Sequence, residues 1–202
     1  LTLLLCIGII SCLIICRINI KDTSTLDPEF NVIYINLDSR KDRNNWMKKQ
    51  LKGWSNVKRM KAVDGSKLEL SEFVPEIVSQ REVNYMDEPN DKKIFGITLT
   101  RGALGCALSH RNAWLEVKDK PMLILEDDAK IKCSYKDIQN YINRSPADWD
   151  LLYLGSGQYI KGPEVTHGVF RIRHAYGMFG YLVHPSSVPK LMRAFPLTIQ
   201  VD

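Results

Sequence analysis

An α/β domain with a mostly parallel central sheet and flanking helices is the fold class this sequence predicts. Three observations carry that prediction. Short β-branched or aromatic runs at Asn31–Leu37 (NVIYINL), Pro121–Leu125 (PMLIL) and Leu151–Leu154 (LLYL) have the length and composition of buried strands. Segments of helical periodicity separate them, and strands that alternate with helices build parallel sheets. A chain of 202 residues, 45% apolar and 25% charged, holds one hydrophobic core rather than two.

The elements follow in order. Leu1–Cys16 (LTLLLCIGIISCLIIC) carries no charge, and residues 1–20 are expected to form a single-pass membrane helix, a signal-anchor. The run is slightly short of the roughly 20 apolar residues a span needs. No small-residue cleavage site follows it, which favours an anchor over a cleaved signal peptide. Arg17 and Lys21 on its C-terminal side would keep the body cytoplasmic, and a basic segment upstream of Leu1 would reverse that. Residues 21–30 read as a short polar stem with Pro28, and residues 31–202 as the folded domain.

Within that domain, Asp38 or Ser39 is placed to cap a helix that Gly53 ends. Val57–Val63 is a weaker strand, closed by Asp64-Gly65. Leu68–Lys93 reads as a short helix and a long loop, with Pro75 and Pro89. Leu104, Ala107, Leu108, Arg111, Trp114 and Leu115 define one largely apolar helical face. Tyr135–Ile142 is helical, Phe179–His184 a strand, and Pro189–Phe195 a helix.

Charge and cysteine usage exclude several classes. The net charge is +5, but basic and acidic residues are interspersed, with no basic arm, so nucleic acid is not an expected partner. A mildly basic body is compatible with anionic substrates. Cys6, Cys12 and Cys16 lie in the apolar segment; Cys106 and Cys133 lie in the body without zinc-like spacing. Two thiols are a better reading of that pair than a disulfide. His167, His174 and His184 lack ligand spacing and read as non-catalytic.

The candidate chemistry sits at strand ends. Leu123-Ile124-Leu125 runs into Glu126-Asp127-Asp128, and in an extended chain Glu126 and Asp128 would share a face with Asp127 opposite. Ligands of open α/β sheets bind beyond the carboxyl ends of strands. Adjacent carboxylates repel unless a cation compensates them, and Mg²⁺ or Mn²⁺ with oxygen ligands meets that need. A solvated acidic turn is the plainer alternative. Asn36 through Arg43 (NLDSRKDR) forms a polar elbow and helix start suited to a diphosphate, or simply a capped surface helix. Gly102 and Gly105 interrupt a helical stretch, which signals close backbone approach or a turn, and Ser109 and His110 follow as hydrogen-bonding groups or as packed structural ones. Asp150 and Asp202 are candidate bases if tertiary structure brings them to the acids.

Taken together, NVIYINLDSRKDR, AVDG (Ala62–Gly65), LTRGALGCALSHRNAW (Leu99–Trp114), LILEDDA, DWDLLYLG (Asp148–Gly155) and VHPSSVPKLMRAF (Val183–Phe195) resemble glycosyltransferase family 25. That family includes bacterial lipooligosaccharide galactosyltransferases and animal procollagen galactosyltransferases. The resemblance covers Asn31 to Asp202 and implies a GT-A-type nucleotide-diphospho-sugar transferase fold. It implies metal-assisted, inverting transfer of a hexose, galactose above all, from a UDP-sugar to a hydroxyl of a glycan or glycoprotein acceptor. By that analogy Asn36, Arg40, Arg43 and Asp64 surround the nucleotide, Ser109 and His110 stand near donor or acceptor, and Glu126, Asp127 and Asp128 hold Mn²⁺ or Mg²⁺. Asp150, Asp202 or an acid beyond it would be the base. The family's domain commonly continues past a PLTIQVD-like segment, so part of the acceptor side is expected beyond Asp202. Membrane placement would be lumenal, in the endoplasmic reticulum or Golgi, for a eukaryotic source; for any other source the orientation stays open. The pattern specifies no oligomeric state. A catalytically silent membrane-bound binding or adhesion protein and a metal-dependent phosphohydrolase are the rival readings.

Overall fold

The computed structural model of this chain describes residues 30–86, 88, 89, 92 and 98–198, together with the backbone of residues 11–14. Eight strands form one sheet: β1 (Ser11–Ile14), β2 (Asn31–Asn36), β3 (Val57–Lys61), β4 (Met122–Glu126), β5 (Leu151–Gly155), β6 (Gln158–Thr166), β7 (Val169–Tyr176) and β8 (Gly180–Val183). Their spatial order is β3-β2-β4-β8-β5-β1-β7-β6. The helices are α1 (Lys41–Gln50), α2 (Gln80–Met86), α3 (Arg101–Leu115), α4 (Tyr135–Arg144) and α5 (Val188–Met192).

The sheet is mixed, which corrects the expectation of a mostly parallel one. β2 runs parallel to β3 and β4, and β1 parallel to β5, whereas β8 is antiparallel to both β4 and β5. The physical cause is a hairpin that the sequence reading did not contain. β6 and β7 pair antiparallel around His167-Gly168, with Gly168 at φ +78° in a two-residue turn. The chain leaves β5 at one end of the sheet, goes out along β6 and returns along β7 to the same end. β8 therefore enters from that end and must run opposite to β4 and β5.

Of the segment expected to be a membrane helix, the described part, Ser11–Ile14, is a strand between β5 and β7. A continuous apolar run has no periodicity to separate strand from helix, and the rest of residues 1–20 lies outside the described residues. Among the described residues no helix is long and apolar enough to cross a membrane.

Strand alternation splits the core. Val32, Tyr34, Leu123, Leu125, Leu152 and Leu182 face α1 and α4. Ile33, Ile35, Met122, Ile124, Tyr181 and Val183 face α3 and α5. A third cluster, with Leu70, Val78, Leu99, Leu104 and Leu108, packs the connection between β3 and α3 under the start of α3. The long stretch after Gly65 is two 3-10 turns and α2, as a short helix plus loop would be. Leu115, expected on the buried stripe, is 43% exposed, because α3 buries a broader face that includes Ser109 and His110.

Helix starts show how local chemistry sets the frame. Thr100 caps α3 by accepting from Ala103 N, and Ser134 with Asp137 forms a capping box on α4. Neither Asp38 nor Ser39 caps α1, whose N-cap position is Arg40 without a side-chain bond. Asp38 is drawn instead to Arg59 at 2.7 Å and Lys61 at 2.9 Å on the neighbouring strand.

Candidate active site at the acidic end of the sheet

The carboxyl ends of β2, β3 and β4 lie side by side, since Asn36 is level with Lys61 and Ile35 with Glu126. Asn36, 1% exposed, is the organising residue. Its Nδ2 donates to Asp127 Oδ2 at 2.7 Å and to the Arg40 carbonyl at 3.1 Å. Its Oδ1 accepts from Arg59 Nε at 2.9 Å. One amide thus fixes the β2 elbow, the start of α1 and the turn after β4.

Arg43, one turn into α1, reaches the same turn. Its Nη1 lies 2.7 Å from Asp127 Oδ1 and 2.9 Å from Asp128 Oδ2. Asp127 beside it holds the Arg43 guanidinium above the ordinary arginine range. Arg40 is turned onto Asp42 in a two-pronged pair at 3.0 and 2.7 Å, which brings the Asp42 carboxyl down to about 2. Arg40 is raised in turn, first by Asp42 and at longer range by Asp127 and Asp128, so it shares the field of the acidic turn.

Glu126 parts company with its neighbours. β4 ends at Glu126, and Asp127 and Asp128 sit in the turn that follows. Glu126 stays in the strand's alternation, on the α3 face, with its Oε1 3.3 Å from His110 Nε2. Asp127 and Asp128 both meet Arg43 on the α1 face. The expectation that Glu126 and Asp128 would project together, opposite Asp127, is therefore corrected: the alternation that predicted it stops one residue into the acidic run.

The remaining candidates fall into place by packing. Ser109, 2% exposed, accepts from Val63 N at 2.8 Å and donates to the Gly105 carbonyl at 2.7 Å. A Cβ on Gly105 would meet Gly65 N at 2.6 Å and Val63 O at 2.8 Å, and one on Gly65 would overlap the Arg101 carbonyl. The close approach inferred from Gly105 is therefore real, and its partner is the AVDG turn. Asp64 caps that turn through Ser66, which with Lys67 holds its carboxyl below the usual range. Asp150 is at the far end of the sheet, where Leu151 is level with Val183 and Met122. There it is 2% exposed and held by Lys190 Nζ at 2.8 Å to each oxygen, so the structure does not bring it to the acids. Asp202 lies outside the described residues. Cys106 and Cys133 form no disulfide.

A cleft of about 700 Å³ opens beside this end of the sheet on the α4 side, bounded by Leu125, Asp128, Lys130, Lys132, Tyr159 and Phe179. Its size suits a small-molecule ligand. Asp128 stands at its edge with a side chain 48% exposed, and among the described residues only its Oδ2 has a partner. A hard divalent cation takes one or two carboxylates and completes its shell with water and phosphate oxygens. Asp128 fits that role; Asp127 spends both oxygens on Asn36 and Arg43. The site also contains residues the sequence reading missed: Arg59, which orients Asn36, and Tyr181, which bonds His110. Tyr181's place on the α3 face follows from its register with Ile124, a signal visible only once β8 is paired.

Comparison with known proteins adds a second line. A family model described as "Glycosyltransferase family 25 (LPS biosynthesis protein)" matches residues 30–202. The chain is 31% identical to procollagen galactosyltransferase 1 of Danio rerio over 179 residues, 82% of this chain and 29% of that protein. It is 30% identical to procollagen galactosyltransferase 2 of Homo sapiens over 178 residues, 82% of this chain and 28% of that protein. A protein named inactive glycosyltransferase 25 family member 3, from Homo sapiens, is 28% identical over 113 residues, 50% of this chain and 19% of that protein. The chain thus spans less than a third of the length of these relatives.

Proposed function

Because this chain belongs to glycosyltransferase family 25, we propose that its acidic sheet end binds a nucleotide-diphosphate sugar and transfers the sugar to an acceptor hydroxyl. The observation that carries this is the joining of Asn36, Arg43, Asp127 and Asp128 across β2, α1 and β4 at the rim of an open cleft. The galactosyltransferase names of its relatives make UDP-galactose the donor to test first.

The roles follow from the geometry. Arg43 and Arg40 supply positive charge where the diphosphate gathers negative charge as it departs, and such fixed charge acts most where charge develops in the transition state. Asn36 and Arg59 keep the elbow rigid, so that the arginines do not have to be ordered on binding. Asp128 would hold Mn²⁺ or Mg²⁺, which when bound supplies Lewis-acid stabilisation of the leaving diphosphate. Asp127, neutralised by Arg43, anchors the turn that presents Asp128. Asp150, paired with Lys190 at the opposite end of the sheet, has no part in this reading.

UDP release from UDP-galactose or UDP-glucose, measured with Mn²⁺ and a panel of glycan and hydroxylated protein acceptors, tests the proposal. Acceptor-dependent turnover that is lost on chelation, and that falls about tenfold or more in Asp128→Ala, is expected. Donor binding without turnover would favour a silent member, a reading kept because a relative of that kind matches half of this chain.

A further inference from the structure

Behind Glu126 lies a row of buried polar groups. Trp114 Nε1 is 2.9 Å from the Tyr181 hydroxyl, which is 2.8 Å from His110 Nδ1, and His110 Nε2 is 3.3 Å from Glu126 Oε1. Trp114, Tyr181 and His110 are each at most 2% exposed, away from bulk water. Donor accounting among the described residues then favours one arrangement of the protons. An indole N–H only donates, so the Tyr181 oxygen accepts from Trp114. Among the described residues the Tyr181 O–H has His110 Nδ1 to donate to. With that nitrogen as acceptor, the ring proton sits on Nε2, pointing at Glu126. Burial pushes the Tyr181 hydroxyl well above its ordinary pKa, which keeps its proton in place to donate.

We propose that Trp114, Tyr181 and His110 form a one-way hydrogen-bond chain that holds the Glu126 carboxylate by one oxygen, leaving the other to accept a hydrogen bond from a sugar hydroxyl of the substrate. The inference rests on the transferase reading and adds a residue to it. Asp127 and Asp128 share the Arg43 cation, whereas Glu126 meets the His110 imidazole. Its side chain, 23% exposed, sits at the same sheet end on the α3 face, and its backbone N–H donates to the carbonyl of Phe179, which lines the cleft on the opposite face. His110, Tyr181 and Trp114 are positioning residues, and Glu126 is the group that touches substrate.

The same cluster has a competing use. Cys106, His110 and Glu126 each place a ligand atom within 4.8 Å of the other two, a thiol–imidazole–carboxylate set of the kind zinc takes. Metal on Nε2 would move the proton to Nδ1, point it at the Tyr181 oxygen and leave the buried Tyr181 O–H with no acceptor. The hydrogen-bond chain and a bound metal are therefore mutually exclusive uses of His110.

The test combines nitrogen-15 NMR of His110 in the ligand-free protein with donor and acceptor kinetics. The expected spectrum shows Nε2 protonated and Nδ1 as an acceptor, with the Nδ1 signal moving in Tyr181→Phe. In kinetics, His110→Gln, which keeps a donor near the Nε2 position, retains most of kcat/KM, whereas His110→Asn and Glu126→Gln lose roughly tenfold or more. A protonated Nδ1 overturns the chain. So does equal activity of His110→Gln and His110→Asn in an active protein. Stoichiometric Co²⁺ or Zn²⁺ binding with a thiolate absorption that disappears in Cys106→Ser overturns it in favour of the metal. A wild type that turns over no donor, while His110 keeps its Nε2 proton, overturns the transferase reading and with it the role of Glu126.

Discussion

Asp127 depends on two partners, and its side chain is only 11% exposed. Arg43→Ala removes one of them and leaves a nearly buried carboxylate with Asn36 alone. A lost hydrogen bond to a charged group costs about 1.5–3 kcal/mol, so urea denaturation should show a loss of about 2 kcal/mol. Arg43→Lys should recover part of the stability, since it restores charge without the two-acid reach of the guanidinium. UDP-galactose binding, followed by calorimetry, should weaken in both variants. At this scale the acidic run and the elbow around Asn36 were legible, because polar residues that directly follow a buried apolar strand have few bland uses. Which way each acid points was not legible. The strand ends at Glu126, and nothing in Glu126-Asp127-Asp128 marks that residue as the last one to obey alternation.

Among the elements, the contact between α3 and the turn after β3 is the tightest. Gly65 and Gly105 approach so closely that a methyl group on either meets backbone atoms, which cannot move away as a side chain can. Gly105→Ala should therefore destabilise by about 1–3 kcal/mol, the usual cost of overpacking, and shift the denaturation midpoint accordingly. Gly102→Ala is the control, because its Cβ would come no closer than 3.8 Å to Thr100 Oγ1. An equal effect of the two would remove this account of the glycines. The interrupted helix of Gly102 and Gly105 announced this contact, but only the fold named its partner. β6 escaped the reading because it is largely exposed, as expected of an edge strand, whereas Phe170 and Ile172 alternating with Arg171 and Arg173 in β7 were a signal left unused. Ser11–Ile14 lies in an uncharged run with no periodicity to tell strand from helix.

For the molecule as a whole, the buried Tyr181 and the half-buried Tyr153 tie stability to high pH. Burial pushes Tyr153 up to about 12 and Tyr181 well above its ordinary value. In the unfolded chain both titrate near 10. The unfolded state then loses these protons first, so stability is complete below about pH 10 and falls as pH rises toward 12. Urea midpoints taken across that range should drop, and Tyr153→Phe should flatten part of the drop; a flat profile in the wild type would contradict the burial argument.

Every part of the proposed site except Glu126 and its hydrogen-bond chain converges on Arg43 and the turn it holds, so the central claim is donor chemistry at that turn. UDP release from UDP-galactose, with and without acceptor, tests it most directly. Acceptor-dependent release that chelation abolishes, and that Asp128→Ala and Arg43→Ala each reduce about tenfold or more, is expected. Phosphate release independent of acceptor, or turnover unchanged in both variants, would contradict it.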